Sequence, residues 1–424
     1  MSSRRLHSTD WSETEIWKHE VRNDPYYIIS EAIQEEIMNT VQAYQEALEM
    51  KDQLVRWRRD LHKVPEIDLN LPETMAYIKA ALTKMQVAFT AYDDISCITA
   101  TFGKGGKCIL LRADVDGLPM EEKSGEPFTS ENGYAHACGH DLHAATLLGV
   151  AKLLKKHENE LNGTVKLLFQ SGEETFRGAN AAIAKGIMED PHVDTCFGMH
   201  VYGYYDTGLI RYGHALEGSV FGFEMHVSGV GGHGSTPEDC VDPINAAVQI
   251  YLALQSLIAR EIPASKEAVL TIGQLTAGAA PNIIPDTAIL KGTLRTFDPD
   301  IRDYLKKRIR EISEATAAAY RTKLDFRPLY DIPALIENDE LLAEALEVAK
   351  EAPGTKAFDP GMHLMGSDDF ALFSELVPSC YLGSGAAPED PARRFGQHHP
   401  EIVFNEDVMV NNIAIYLEIG RAHV

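Results

Sequence analysis

The stretch His136-Ala137-Cys138-Gly139-His140-Asp141-Leu142-His143 sets a thiol and an imidazole two residues apart, with further histidines on either side. In extended backbone, side chains at i and i+2 point the same way, so one ion could touch both Cys138 and His140. Thiolate with imidazole is a donor set for zinc and similar borderline metals. A buried free cysteine beside ordinary loop histidines accounts for this cluster equally well. Three further groups shift the balance. Glu173-Glu174 follows an apolar run at 165–169, His200 closes another at 195–200, and His398-His399-Pro400 stands near the C-terminus. Singly, an acidic pair is most often a solvated turn and a lone strand-end histidine a satisfied core residue. Ligands collect at the carboxyl ends of strands in open parallel sheets, so several such residues converging there predict a metal site. Neighbouring acids can divide labour, one ligating while the other holds a water as general base. Five Cys, His and Glu ligands exceed what one tetrahedral zinc with an open position takes, which predicts two ions about 3.5–4 Å apart.

The elements that must position these residues read as two kinds of segment. With 424 residues, 45% of them hydrophobic, the chain is long enough for two cores. Residues 1–40 read as a surface-packed extension, helical around 29–38. Residues 41–62 read as an amphipathic helix ending before Pro65. Strand-like runs at 108–111, 165–169 and 195–200 alternate with helical ones, the first helix capped at Asp141 and running to about Lys156, the second over 178–188. Strands alternating with helices point to a mostly parallel α/β sheet. After Gly218 the rhythm changes: strands at 221–227, 269–272 and 288–295, with helices at 243–260 and 300–320, read as an inserted α+β unit. The α/β pattern resumes near Asn338. The expected fold class is therefore α/β, a catalytic domain with a parallel-rich mixed sheet in two parts, 41–217 and 333–424, interrupted by a lid at 218–332.

A formal charge of −24 argues against nucleic acid and anionic membrane surfaces as partners. No run approaches the ~20 apolar residues of a membrane span. The N-terminus lacks the apolar core of a signal peptide. Six scattered cysteines fit a reducing compartment, so a cytoplasmic location is expected. The closing segment 418–424 looks like a translated sequencing adaptor, and no functional role is expected of it, His423 included.

Together the motifs resemble the M20 metallopeptidase family, within it the amidohydrolases that act on N-acyl amino acids. The resemblance spans about 58–407. It is carried by Arg112-Ala113-Asp114-Val115-Asp116-Gly117-Leu118-Pro119, the 136–143 cluster, Glu173-Glu174, His200, Gly231-Gly232-His233-Gly234, Asn282-Ile283-Ile284-Pro285, Gly292-Thr293-Leu294-Arg295, Gly366-Ser367-Asp368-Asp369-Phe370 and His398-His399-Pro400. It implies metal ligands at Cys138, His140, Glu174, His200 and His398, with His399 the rival for the last, and Glu173 as catalytic base. It implies that His233 stabilises the oxyanion, in the active site of the same or a partner subunit, and that Asn282 and Arg295 bind substrate, the guanidinium suiting a free carboxylate. Two divalent ions are implied, zinc first, with manganese, cobalt or nickel as alternatives. A homodimer through the lid is implied too, as is a small N-acyl amino acid as substrate. Departures from the pattern are Ser171, where a proline is common, and Thr175-Phe176-Arg177 in place of a glycine-rich run; Phe176 and Arg177 are expected near the site. A dipeptidase or carboxypeptidase with the same metals, or a non-catalytic metal-binding relative, are the competing readings.

Overall fold

The computed structural model describes residues 40–361 and 365–424; the extension expected over 1–40, with its helical pattern near 29–38, lies outside the described residues but for Thr40. The chain first lays down β1 (Phe89–Tyr92), β2 (Cys97–Gly103), β3 (Cys108–Asp114), β4 (Thr164–Gln170), β5 (Thr195–Asp206) and β6 (Leu209–Arg211). Next come β7 (Ala215–Glu217), β8 (Ser219–Ser228), β9 (Gly232–His233), β10 (Ala268–Ala277), β11 (Ile283–Ile284), β12 (Thr287–Thr296), β13 (Lys323–Ile332) and β14 (Leu335–Ile336). β15 (Lys356–Phe358) and β16 (Ser379–Ala387) complete the set.

The main sheet has the order β1-β2-β4-β3-β5-β16-β6-β15. Its centre is parallel, β4 with β3, β3 with β5 and β5 with β16, while β1 and β2 join antiparallel at one edge. β3 explains why a parallel centre reads as a continuous apolar run. Ile109, Leu111 and Ala113 enter one core, with Leu54, Leu147 and Ile413, while Cys108 and Leu110 enter a second with Phe370 and Tyr381. Both faces are covered, so no polar alternation is needed. The helices Lys51–His62, His140–His157 and Val408–Ala422 supply the first cover.

β10-β12-β8-β13 form a separate antiparallel sheet. Along β12, Ala288, Leu290 and Leu294 face a third core with Phe223 and Ile309, and the intervening residues are half-exposed or exposed. That period-two burial is the signature of a one-sided sheet. The helices Pro243–Leu254 and Pro299–Ala319 pack on its apolar face, each opened by an aspartate, Asp242 or Asp298, that accepts from backbone N–H groups of the first turn.

Several expectations need correction. The helix read over 41–62 is broken by a turn at Met50. Asp141 is not the cap of the helix His140–His157: that position belongs to Gly139, left-handed at φ 92°. Asp141 instead points its buried carboxylate at Arg58 and His62, both 2.7 Å away. The second helix stops at Ala184 rather than 188. The closing segment packs on the fold, Ile419 in the first core and Val424 against Gly163, which leaves the expectation of no functional role untouched. Among the described residues, no helix is long and apolar enough to cross a membrane.

Candidate metal centre

The parallel strands deliver their carboxyl ends to one place. β3 ends at Asp114, and Val115-Asp116 beyond it reach the start of the helix His140–His157. Past β4, the tight turn Gly172–Gly178 carries Glu173 and Glu174. Asp116 ties the two together, its carboxylate accepting from the backbone N–H of Glu173 and of Glu174, each at 3.2 Å. The turn closes because Gly178 has no side chain: a Cβ there would sit 1.7 Å from Ser171 O.

Cys138 and His140 are not in extended backbone, as i and i+2 pairing assumed. The left-handed Gly139 swings both inward, and a Cβ on it would stand 2.4 Å from Val201 Cγ2. His200 does not end its strand but lies in the middle of β5, which runs on to Asp206. Even so, candidate ligand atoms of Cys138, His140 and His200 fall within 4.8 Å of one another, as do those of Cys138, Glu174 and His398. Cys138 belongs to both triples. His398, at φ 64°, is anchored by its backbone N–H donating to Ala137 O at 3.0 Å, and its Nε2 is 3.4 Å from Glu174 Oε1. The rival His399 turns away to stack on Phe395, ring centroids 4.1 Å apart.

The histidines are pre-set for ligation. His140 Nδ1–H donates to Asp116 O at 3.0 Å and His200 Nδ1–H to Val201 O at 2.7 Å, which directs each Nε2 into the cluster. His140 Nε2 is buried with no hydrogen-bond partner, and Glu174 Oε1 is buried with the His398 imidazole alongside it. Burial opposes charge on His140, yet Asp114, Asp116 and Glu174 around it carry its pKa up to about 10. Burial, with His143 alongside, pushes His200 down to about 3. Burial and the negative charge of Glu174 and Glu173 hold the Cys138 thiol well above its ordinary range. Burial, then Asp368 and Glu174, raise Glu173 in the same way. A buried, carboxylate-rich cluster with an orphaned donor atom is the environment that divalent cations neutralise.

The cluster opens into a cavity of about 470 Å³ lined by Cys138, Glu173, Glu174, His200, His398, Arg295 and a wall of Phe176, Tyr202, Tyr204 and Tyr381. Arg295 Nη1 donates to Met365 O at 2.5 Å and to Ser367 Oγ at 3.3 Å. Phe176, at φ 56°, reaches the cavity as expected and packs on Tyr330. Arg177 does not: it is exposed and paired with Asp68 at 2.6 Å. Ser171 lies buried behind the turn, its Oγ donating to Ile95 O. His233 and Asn282 are exposed and do not line the cavity, though pairing of β9 with β11 and the Gly234 N–H to Asn282 O bond at 2.9 Å hold them side by side. Sequence reasoning gave no role to Asp114, Asp116, Glu217 or Asp368. Asp114, Asp116 and Asp368 lay within motifs already noticed, and the alternation of the first two along the end of β3 was the available signal.

A buried donor cluster at the carboxyl ends of a parallel-rich sheet, beside an acid and an arginine, defines a metal-dependent hydrolase, and the chain belongs to peptidase family M20/M25/M40, whose pattern matches residues 110–421. It is 33% identical to N-acetyl-L-cysteine deacetylase of Bacillus subtilis (strain 168) over 85% of this chain and 86% of that one. It is 32% identical to IAA-amino acid hydrolase ILR1-like 4 of Arabidopsis thaliana, over 88% and 86%. A dinuclear metal-binding peptidase of the M20 family from Bacillus subtilis, solved by crystallography, superposes with a TM-score of 0.74 at 30% identity, covering 88% of this chain and 98% of that one.

Proposed function

We propose that this protein is a cytoplasmic dinuclear amidohydrolase that splits N-acyl amino acids into a carboxylic acid and a free amino acid. The observation that carries the reading is Cys138 shared between two ligand triples, with Glu173 beside them in a cavity that also holds Arg295. Cys138, His140, His200, Glu174 and His398 would hold two divalent ions. The orphaned, buried His140 Nε2 fits that role, and a thiolate–imidazole–carboxylate set favours zinc, with manganese, cobalt and nickel as alternatives. Bound ions supply Lewis acidity and make water acidic near neutrality.

The chain's own residues do the rest. Glu173 takes the proton of the attacking water and returns it to the departing amine, and its raised proton affinity suits the second task. Arg295 receives the substrate carboxylate. Ser235 N–H donates to His233 Nδ1 at 3.1 Å, so the ring presents Nε2–H, the donor an oxyanion needs. Its exposure, away from the cavity, supports delivery from a second copy of the chain. A homodimer is further supported by the edge strand β10 with exposed Val269 and Leu275, and by exposed Val248, Tyr251 and Leu252 on the neighbouring helix.

The test is release of amino acid from N-acetyl and N-benzoyl amino acids beside unblocked dipeptides, with zinc, manganese or cobalt added and a chelated control. Chelator-sensitive cleavage of the acylated compounds is expected, and cleavage of dipeptides alone would reassign the protein to the peptidases. Glu173→Gln is expected to cut kcat by roughly 10²–10⁴ while metal content, read by elemental analysis, stays at two ions; retained turnover would remove Glu173 from the mechanism.

A further inference from the structure

We infer that Glu217 sets the substrate preference: its carboxyl receives an N–H donor at the end of the amino-acid side chain. N-acyl amino acids ending in ammonium, guanidinium or amide groups are then taken over aliphatic ones of the same length. The inference rests on the amidohydrolase reading and names which amino acids that site accepts.

Glu217 ends β7, the short strand that pairs with β14 between the two large sheets. It is buried, and it lines the cavity. No step of hydrolysis requires it. Tyr202 Oη–H donates to its Oε1 at 2.7 Å, and Arg211 Nη1 stands 3.9 Å from the same oxygen. Its Oε2 faces Gly366 so closely that a Cβ on that glycine would come within 2.4 Å. Gly366 lies between the two groups that accept from Arg295, Met365 O and Ser367 Oγ. Glu217 and Arg295 therefore flank one loop, an acid and a base on the same stretch of cavity wall. A substrate held by its carboxylate at Arg295, with its acyl carbonyl at the metal ligands, has its amino-acid half nearer the loop that Glu217 shares, and we place the side chain there.

The surroundings favour a donor there. Tyr204 adds a ring face to the same wall, a surface that attracts cations, while the Tyr202 ring already lies under Arg211. An aliphatic end would displace water from the carboxyl and return no hydrogen bond, the circumstance in which binding sites discriminate most strongly. Burial, with the Asp368 carboxylate adding to it against the opposing Tyr202, Arg211 and Arg295, pushes the Glu217 carboxyl up to about 7, so the preference for donors sharpens as pH rises through neutrality.

The experiment compares kcat/KM for N-acetyl derivatives of lysine, glutamine and norleucine, using the full chain loaded with zinc. Lysine and glutamine derivatives are expected to exceed norleucine by roughly tenfold or more. Glu217→Gln, which keeps the shape and the Tyr202 partner, should lower the lysine preference and spare that for glutamine. Glu217→Ala should erase both. Norleucine preferred by the wild type, or ratios unchanged in Glu217→Ala, would overturn the inference. Calorimetric binding of free lysine against free norleucine separates this from the reaction itself. If the wild type cleaves no N-acyl amino acid but binds lysine over norleucine in a Glu217-dependent way, the assigned reaction fails and the recognition stands. Equal binding in wild type and Glu217→Ala overturns the recognition.

Discussion

Asp116 and Arg112 perform no chemistry on substrate, yet the site depends on both. Arg112, fully buried, donates to Asp114 at 2.6 Å, to Asp369 at 2.8 Å and to Gln170 at 3.1 Å, and so locks the ends of β3 and β4 to the loop that carries Asp368. The ligand types were legible in the sequence because Cys, His and Glu announce metal chemistry at any position. Their supports were not, because a buried Asp reads like any surface acid until its partners are known. Glu217 was missed for the same reason, and it carries a pH signature. Its folded pKa of about 7 exceeds the ordinary 4.5, so the folded chain binds more protons than the unfolded chain between those values. Glu217's contribution is therefore most favourable below about pH 4.5, declines as pH rises, and levels off above about 7. Relative to Glu217→Gln, the wild type should lose about 3 kcal/mol at most across that window, measured by urea unfolding at fixed metal load. A stability difference independent of pH would refute the shift.

At the scale of elements, buried strands were read well and their ends poorly. β3 and β4 announce themselves as apolar runs because both faces are covered. β5 runs past His200 because its later residues, Val201 and Tyr202, stay inside the site wall, a tertiary fact invisible to local pattern. The cap at 139 was misread because Asp is the better cap by propensity, while the close approach of Val201 admits only glycine. The turn at Gly172–Gly178 is equally unforgiving. Gly178→Ala must move the turn or the strand behind it, and is expected to cost more than about 2 kcal/mol and to reduce bound metal, read by thermal unfolding and elemental analysis. A variant with wild-type unfolding and full metal would show that the turn has slack.

For the whole molecule, the two-sheet organisation was legible from the change of rhythm after Gly218, as a switch from two-faced to one-sided strands. The resemblance left open whether His233 serves its own chain's cavity or a partner's, and within one chain it does not line the cavity. If a second copy supplies that imidazole, Val269→Lys on the exposed edge of β10 should yield a monomer by light scattering and lower kcat by roughly 10²–10³, the effect of losing one oxyanion donor. A fully active monomer would assign the donor elsewhere in the same chain.

The bonds that Asp116 makes to Glu173, Glu174 and His140 have one more consequence. They are internal to the polypeptide, so the chain itself shares in shaping the socket. Small zinc folds leave that work to the ion, which ties a knot that falls open when it leaves. Here the key meets a lock whose wards are cut from the chain itself.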